Sequence, residues 1–217
     1  MIHIKLFIFN PFQVNTYVLY EESGAAVIID PGCYSPGEAQ ELAGFIEKQG
    51  LTPEWLLNTH THIDHILGNS FVHGKYDLLP AYHADGAFFV ANAAIHGRSF
   101  GLEVGQVCKE YRRLEEQDTI RFGNSELRCL HTPGHADGSL CFYAVNQNFV
   151  ITGDLIFFES IGRFDLPGGN YDLLEKSIRE KIFTLPGHTV LYPGHGHETT
   201  VEHERMFNPF VSDAGSV

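Results

Sequence analysis

A histidine-rich segment at residues 59–65 places the strongest constraint on this chain. Its sequence, Thr-His-Thr-His-Ile-Asp-His, follows a short apolar stretch that is typical of a buried strand. Alternate side chains of an extended backbone point to the same side, so His60 and His62 can reach one metal ion together. Asp64 and His65 follow where the loop turns, and they can face a second ion. Imidazole and carboxylate groups are ligands for zinc, iron and manganese, and the spacing differs from the helical HExxH pattern.

Three further side chains of metal-ligand type follow predicted strands. His135 ends a Thr-Pro-Gly-His sequence, Asp154 ends Thr-Gly-Asp, and His195 lies in Pro-Gly-His-Gly. The loops of a layered fold converge on a site where its strands end. With the four residues of the first motif they make seven candidate ligands, enough for two ions. The remaining central and C-terminal histidines lack such a motif, and we expect them at the surface or supporting the ligands: His73, His83, His96, His131, His188, His197 and His203.

Composition excludes several classes of partner. The chain has 217 residues, of which 43% are apolar, enough for a sizeable core. Its 14 basic and 27 acidic residues give a net charge of −13 with histidine neutral. Phosphate groups of nucleic acids and of anionic membranes would be repelled by this charge. We therefore expect neither a nucleic-acid nor a membrane partner, and composition leaves the oligomeric state open.

The cysteines and the N-terminus indicate a cytoplasmic protein. Cys33, Cys108, Cys129 and Cys141 form no CxxC pair and no zinc-finger spacing. The first ten residues alternate between apolar and polar, as in a strand, and lack the features of a signal peptide. No run approaches the 18 apolar residues that a membrane-spanning helix needs.

Apolar periodicity and turn residues predict two similar αβ halves without a dividing linker, and we expect one domain over 1–217. Two sheets packed face to face with helices outside would bury this pattern. The predicted strands are 2–9, 15–21, 25–30, 55–57, 119–121, 127–131, 139–144, 148–152 and 189–192. The predicted helices are 36–50, around 66–74, 84–96, 172–182 with Asp172 as N-cap, and 200–207, with an irregular stretch at 97–117.

The succession HxHxDH, TPGH, TGD and PGHG resembles the metallo-β-lactamase superfamily. The resemblance implies an α+β fold, a four-layer αββα sandwich with the site at one edge of the sheets. It also implies two divalent ions, zinc first and iron or manganese as alternatives. The first ion would be held by His60, His62 and His135, the second by Asp64, His65 and His195, with Asp154 bridging the two.

Other residues indicate which subfamilies of this superfamily the chain resembles. The commonest class of lactamase has cysteine in place of Asp154 and lacks the His65 ligand, and flavodiiron proteins have glutamate in place of His62. The segment 160–169, together with the C-terminal PGHG and later residues, resembles short bacterial glyoxalase II-like proteins, although Phe164 stands where they usually have threonine. Full-length glyoxalase II carries a further helical domain with glutathione contacts. We expect no such domain here, which leaves the thiol carrier open.

This resemblance implies a thioesterase acting on a small molecule such as S-D-lactoylglutathione. Two ions about 3.5–4 Å apart lower the pKa of bound water from 15.7 toward about 7, and the resulting hydroxide would attack the acyl carbonyl. Asp64 is the candidate catalytic residue, since it could also orient the hydroxide. Arg163 is the candidate substrate contact, with an ion pair to Asp165 as the alternative. Thr59, Thr61 and Asp165 are candidates for orienting the imidazole ligands, and Phe157, Phe158 and Phe164 for lining the pocket, although ordinary loop or core roles compete for each.

Three alternatives remain at the level of sequence. A persulfide dioxygenase would keep one iron on two histidines and an aspartate, and it shares the first motifs, although its C-terminal motif typically departs from PGHG. A hydrolase of lactones or other esters would use the same fold. A binding module without catalysis would keep the ligands and lose turnover. The complete set of seven ligands and the PGHG sequence favour the thioester hydrolase.

Overall fold

The computed structural model describes residues 1–105 and 107–212. The first half forms a six-stranded sheet whose strands lie in chain order; the first three are antiparallel and the following pairs are parallel. Its elements are β1 (His3–Phe9), β2 (Val14–Tyr20), β3 (Ala25–Ile29), α1 (Pro36–Lys48), β4 (Thr52–Leu57), α2 (Ile63–Ile66), α3 (Asn69–Tyr76), β5 (Pro80–Tyr82), α4 (Ala87–Ala91), α5 (Ala93–Ser99) and β6 (Arg112–Arg113).

The second half forms another six-stranded sheet and a small hairpin. Its elements are β7 (Thr119–Phe122), β8 (Ser125–His131), β9 (Leu140–Ala144), β10 (Phe149–Gly153), β11 (Ile156–Phe157), β12 (Ser160–Ile161), α6 (Tyr171–Ser177), β13 (Val190–Pro193), β14 (Thr199–Thr200) and α7 (Val201–Phe207). The sheet order is β14-β13-β10-β9-β8-β7, in which the β10–β13 pair is parallel, while β11 and β12 pair with each other.

Strand alternation directs the buried side chains of the long strands into different apolar layers. In β2, Leu19 faces the space between the sheets, while Val18 packs with the residues of α1. In β10, Ile151 faces the same central space, while Val150 packs with the residues of α6. Each sheet is thus covered by helices on its outer face, and the predicted four-layer αββα sandwich is confirmed.

The N-terminus of α1 also fixes a loop that reaches the functional edge of the sheets. The Ser35 hydroxyl accepts from the Glu38 N–H and the Glu38 carboxylate accepts from the Ser35 N–H, which forms a capping box. The other oxygen of Glu38 accepts from the N–H of Asn10, 2.7 Å away. The side chain of Asn10 in turn donates to the carbonyls of Gly32 and Asp64. The loop between β1 and β2 is therefore held against the segment that carries the histidine motif.

Several predicted boundaries are wrong for local reasons. The predicted helix 84–96 is interrupted at Asn92, whose φ of −107° and ψ of 13° leave the helical region. The predicted helix around 66–74 is two helices, α2 and α3. The cap of the helix near residue 172 is Asn170, whose side chain accepts from Leu173 N, instead of Asp172. In the described part of the chain, no helix combines the length and apolar character that crossing a membrane requires.

Candidate metal centre

The seven side chains of the sequence motifs meet at one edge of the two sheets. The first four lie on the loop after β4 and on α2, and the other three lie where β8, β10 and β13 end. Their ligand-type atoms form three overlapping groups, and within each group all of these atoms lie within 4.8 Å of one another. The first group is His60 with His62 and His135, the second group is Asp64 with His65 and His195, and a third set, His60 with His65 and Asp154, connects them.

The first group is a cluster of three imidazoles. Nδ1 of His62 lies 2.9 Å from Nε2 of His135, and the rings of all three histidines stand edge to face. Nε2 of His60 is buried and has no hydrogen-bond partner. A buried polar atom left unpaired costs roughly 1–3 kcal/mol, and a cation bound between these nitrogens would remove that cost. The geometry therefore fits one metal ion.

The second group joins two imidazoles and a carboxylate. Oδ2 of Asp64 lies 3.2 Å from Nε2 of His195 and 3.6 Å from Nε2 of His65. Asp154 lies between the two groups, because its Oδ2 is 3.6 Å from Nε2 of both His135 and His195. Its Oδ1 is 3.4 Å from Nε2 of His65, and both of these atoms are buried without a hydrogen-bond partner. The donor set fits a second ion, with Asp154 in position to touch both.

Asp30, which no sequence motif indicates, supports both groups on the side away from the centre. Its Oδ2 accepts from the Thr59 hydroxyl at 2.6 Å and lies 3.0 Å from Nδ1 of His65. Its Oδ1 accepts from the Thr59 N–H at 2.8 Å, and the Thr59 oxygen lies 3.2 Å from Nδ1 of His60. Asp30 is 1% exposed and has a φ of 48°. Its position directly after the apolar strand β3 is the one sequence feature that could have indicated this role.

The outer nitrogens of four imidazoles all have partners away from the centre. Nδ1 of His135 donates to the carbonyl of Arg163 at 2.7 Å, and Nδ1 of His195 donates to the carbonyl of Gln13 at 3.2 Å. Nδ1 of His60 contacts the Thr59 hydroxyl, and Nδ1 of His65 contacts the Asp30 carboxylate. All four contacts place a proton on Nδ1. Each Nε2 is therefore the nitrogen that faces the centre and is available to an ion, which is how protein metal sites orient imidazole ligands.

Two of the predicted orienting residues have other roles. The Thr61 hydroxyl donates to the carbonyl of Gly86, and Asp165 forms an ion pair with Arg163. Only Thr59, among the three candidates, contacts a ligand imidazole. The sequence could not separate them, because all three are short polar residues beside metal-ligand motifs.

Electrostatics distinguish the two groups. Burial lowers the pKa of His60 and of His135, and lowers that of His62 to about 3, so these imidazoles are neutral. Burial also opposes charge on His65, but the carboxylates of Asp64, Asp154 and Asp30 raise its pKa well above the usual range. At His195, burial is likewise outweighed by the hydrogen bond to Asp64, and the pKa is raised. Cation binding at the second group therefore displaces protons.

The first sheet holds the loop that carries His195. The N–H of Asn15 donates to the carbonyl of Gly194 at 2.7 Å, and its side-chain amide donates to the carbonyls of Pro193 and Gly196. A Cβ atom on Gly194 would overlap Oδ1 of Asp154, so this position requires glycine. His197, the alternative to His195, turns its ring toward Phe158 instead.

A cavity of about 550 Å³ opens over the centre, and five of the seven side chains line it: His62, Asp64, His135, Asp154 and His195. Arg163 and His96 also lie on its wall, whereas the sequence predicts His96 at the surface or supporting the ligands. The guanidinium of Arg163 binds both carboxylate oxygens of Asp165, at 2.9 and 3.0 Å, so the predicted ion-pair alternative is present. Of the three candidate pocket phenylalanines, Phe157 is part of the lining; the cavity's apolar lining includes Phe12, Ile63, Phe89, Phe100, Phe157 and Ile161.

Phe158 and Phe164 lie in other contacts. Phe158 stacks on His203, with ring centroids 4.7 Å apart, and Phe164 packs edge-on against Tyr171. His83 and His131 also stack on each other, 4.4 Å apart, and they form a separate group of metal-ligand type with Asp85.

Known proteins resemble this chain in sequence. A family model described as the metallo-β-lactamase superfamily matches residues 9–195. The probable metallo-hydrolase YqgX of Bacillus subtilis is 39% identical over 206 residues, which cover 94% of each chain. The hydroxyacylglutathione hydrolase GloC of Haemophilus influenzae is 30% identical over 213 residues, which cover 97% of this chain and 98% of that protein.

Solved structures of several proteins have a fold similar to that of this chain. The B3 metallo-β-lactamase BLEG-1 has a TM-score of 0.87 at 33% identity, covering 96% of this chain and 99% of that one. TTHA1623, solved in a di-iron-bound form, has a TM-score of 0.86 at 33% identity, covering 95% and 99%. ETHE1 from Myxococcus xanthus has a TM-score of 0.79 at 25% identity, covering 97% and 84%. The family match over most of the sequence, the shared fold and the clustered motif residues lead to one conclusion: the chain belongs to the metallo-β-lactamase superfamily.

Proposed function

We propose that this chain is a dinuclear metal-dependent hydrolase of thioesters, with 2-hydroxyacylglutathiones such as S-D-lactoylglutathione as the first substrates to test. The observation that carries the proposal is the convergence of seven ligand side chains beneath an open cavity, with several ligand atoms buried and unpaired. The similarity to the hydroxyacylglutathione hydrolase of Haemophilus influenzae, of which the chain covers 98%, supports the choice of a thioester.

The donor set supports two resident ions. His60, His62 and His135 would hold the first, Asp64, His65 and His195 the second, and Asp154 would contact both. Divalent ions in such a site supply Lewis acidity and lower the pKa of water to near neutrality. Imidazole and carboxylate ligands suit zinc, iron and manganese, and the di-iron form of TTHA1623 supports the inclusion of iron.

The residues around the centre favour a substrate whose leaving group needs no proton. Asp64 lines the cavity and keeps its charge, because the neighbouring His65 lowers its pKa although burial would raise it. Its carboxylate is therefore placed to hold the hydrogen of an attacking water. Among the described residues of the wall, His96 is the one further imidazole outside the seven. Because a thiol has a pKa of about 8.5, a thiolate leaves without a general acid, unlike an alkoxide or an amine.

Hydrolysis of S-D-lactoylglutathione tests the proposal directly. The metal-free protein would be reconstituted separately with zinc, iron or manganese, and the loss of thioester absorbance would be followed. We expect kcat/KM of about 10⁴ M⁻¹s⁻¹ or more with at least one metal, which is the ordinary range for enzymes. The same preparation of His62→Ala, with one ligand of the first ion removed, is the negative control.

Two further assays identify the result that would overturn the proposal. Oxygen consumption with glutathione persulfide, without thioester turnover, would establish the dioxygenase alternative. Hydrolysis of a β-lactam without thioester turnover would instead align the chain with BLEG-1. Metal binding without turnover of any of these substrates would support the non-catalytic binding module.

A further inference from the structure

We propose that the cavity over the metal centre is a binding site for a bulky apolar acyl group, so that long-chain or aromatic acyl thioesters are better substrates than lactoyl thioesters. This inference rests on the proposed thioester hydrolysis and specifies its substrate class. The cavity volume of about 550 Å³ lies in the range of roughly 300–1,000 Å³ that holds drug-sized ligands. A three-carbon hydroxyacyl group would leave most of that volume to water.

The apolar wall is assembled from separate parts of the chain. Phe12 comes from the loop between β1 and β2, Phe89 from α4, Phe100 from the end of α5, and Phe157 from β11. The rings of Phe12 and Phe100 meet edge to face with centroids 5.6 Å apart. Phe89 packs edge to face on the ring of His62, 4.9 Å away, so the apolar wall begins directly at the metal centre. An acyl group attached at the reacting carbonyl would therefore extend along these rings.

The α4–α5 segment, which contributes Phe89 and Phe100 to the cavity wall, also exposes apolar surface. Phe100 is 51% exposed, and Phe88 and Ile95 on the same α4–α5 segment are 59% and 57% exposed. Grouped large apolar side chains at the surface mark binding sites more often than isolated ones do, since covering them removes apolar area from water. The α4–α5 segment is thus the part of the fold that would select the acyl group.

The polar part of the wall offers little to a charged carrier. Among the described residues that line the cavity, Arg163 is the single lysine or arginine, and Asp165 already binds it through two hydrogen bonds. The chain as a whole carries a net charge of −13. A peptide-like or anionic thiol carrier is therefore best accommodated at the solvent side, which leaves the apolar wall to the acyl group.

A series of acyl thioesters of one thiol tests the inference. Propionyl, butyryl and hexanoyl thioesters of N-acetylcysteamine would be compared with the lactoyl thioester, using the metal-loaded full chain. Each methylene group that becomes buried is expected to raise kcat/KM by about threefold, so hexanoyl should exceed propionyl by about twentyfold or more. Phe100→Ala should reduce this ratio by about tenfold. Phe210→Ala is the matched control, because Phe210 is similarly exposed, at 48%, and lies outside the cavity wall.

Calorimetric titration with the carboxylate products gives a second readout that does not require turnover. Hexanoate should bind more tightly than propionate, with a negative heat-capacity change, and Phe100→Ala should remove the difference. If thioesters are hydrolysed but neither rate nor affinity depends on acyl length, the apolar site is wrong and the hydrolase stands. If no thioester is hydrolysed but hexanoate binds through Phe100, the hydrolase is wrong and the apolar site stands. A length preference that is the same in Phe100→Ala would also contradict the assignment.

Discussion

Oδ2 of Asp30 lies 3.0 Å from Nδ1 of His65, and both side chains are buried. This contact fixes the imidazole with its proton toward Asp30 and its Nε2 toward the metal centre. The same oxygen accepts from the Thr59 hydroxyl, which in turn lies against His60. One carboxylate at the end of β3 therefore orients one ligand of each metal group.

Asp30→Asn should weaken metal binding without removing any ligand. The amide can still accept one hydrogen bond, but it cannot favour the same imidazole tautomers, and loss of such a supporting group typically costs about 10- to 100-fold in metal affinity or activity. Metal content after dialysis against a weak chelator measures the effect. Asp172→Asn, at an exposed position on α6, is the matched control and should retain the wild-type metal content. Equal retention by both variants would contradict the role of Asp30.

Replacing a ligand should differ sharply from replacing a surface histidine. We predict that His62→Ala loses most of its activity and binds fewer ions per chain, because it removes one of three nitrogens of the first group. His203→Ala should do neither, since His203 contacts Glu159 and Phe158 away from the centre. Elemental analysis and thioester hydrolysis check both variants. Similar behaviour of the two would show that the ligand assignment is wrong.

The metal-free protein should be most stable near pH 6.5, the ordinary pKa of histidine. His60, His62 and His135 have lowered pKa values, so below that pH the unfolded chain gains protons that the folded chain excludes, and stability falls. His65 and His195 have raised pKa values, so above it the unfolded chain loses protons that the folded chain retains, and stability falls again. Each of these histidines changes the free energy of unfolding by about 1.4 kcal/mol per pH unit between its unfolded and folded pKa values.

Urea unfolding of the chelator-treated chain across this pH range measures the effect. The metal-loaded protein is the control: because metal replaces the protons on the ligands, its stability should not fall between about pH 6.5 and 8. A metal-free chain whose stability stays constant from about pH 5 to 8 would contradict the charge states assigned to the two groups.

Arg163→Ala should separate the role of the backbone at this position from that of the side chain. The carbonyl that orients His135 is retained by alanine, so the metal content should stay at the wild-type level. The KM for a glutathione thioester should change little, because Asp165 already binds the guanidinium through two hydrogen bonds. Arg121→Ala is the matched control, because Arg121 is also exposed and ion-paired, with Glu126, on a distant strand. Loss of metal from Arg163→Ala would contradict the backbone assignment.

Sequence patterns predicted the parts of the fold that depend on local order. Strands such as β2 and β10 alternate between two apolar layers, and this alternation is visible in the residues themselves. The short strands β5 and β6 were missed because three and two residues carry no periodic pattern. Similarly, the choice between Asn170 and Asp172 as helix cap depends on backbone geometry, since both side chains can accept the same kind of hydrogen bond.

The ligand side chains were predictable because each lies in a short motif, whereas their supports were not. Asp30 acts on Thr59 and His65, which lie 29 and 35 positions away, and no local pattern indicates those contacts. His96 lines the cavity because α5 folds over the centre, which depends on tertiary packing. Contacts between residues this far apart in the chain depend on tertiary packing, which no single local motif encodes.

Each metal group takes its ligands from both halves of the chain. His60 and His62 need His135 from the second half, and Asp64 and His65 need His195. An ion bound there adds its free energy to the docking of one sheet on the other. The first set is complete in the sequence at residue 135 and the second only at residue 195, so synthesis from the N-terminus would make the two binding events possible in a fixed order.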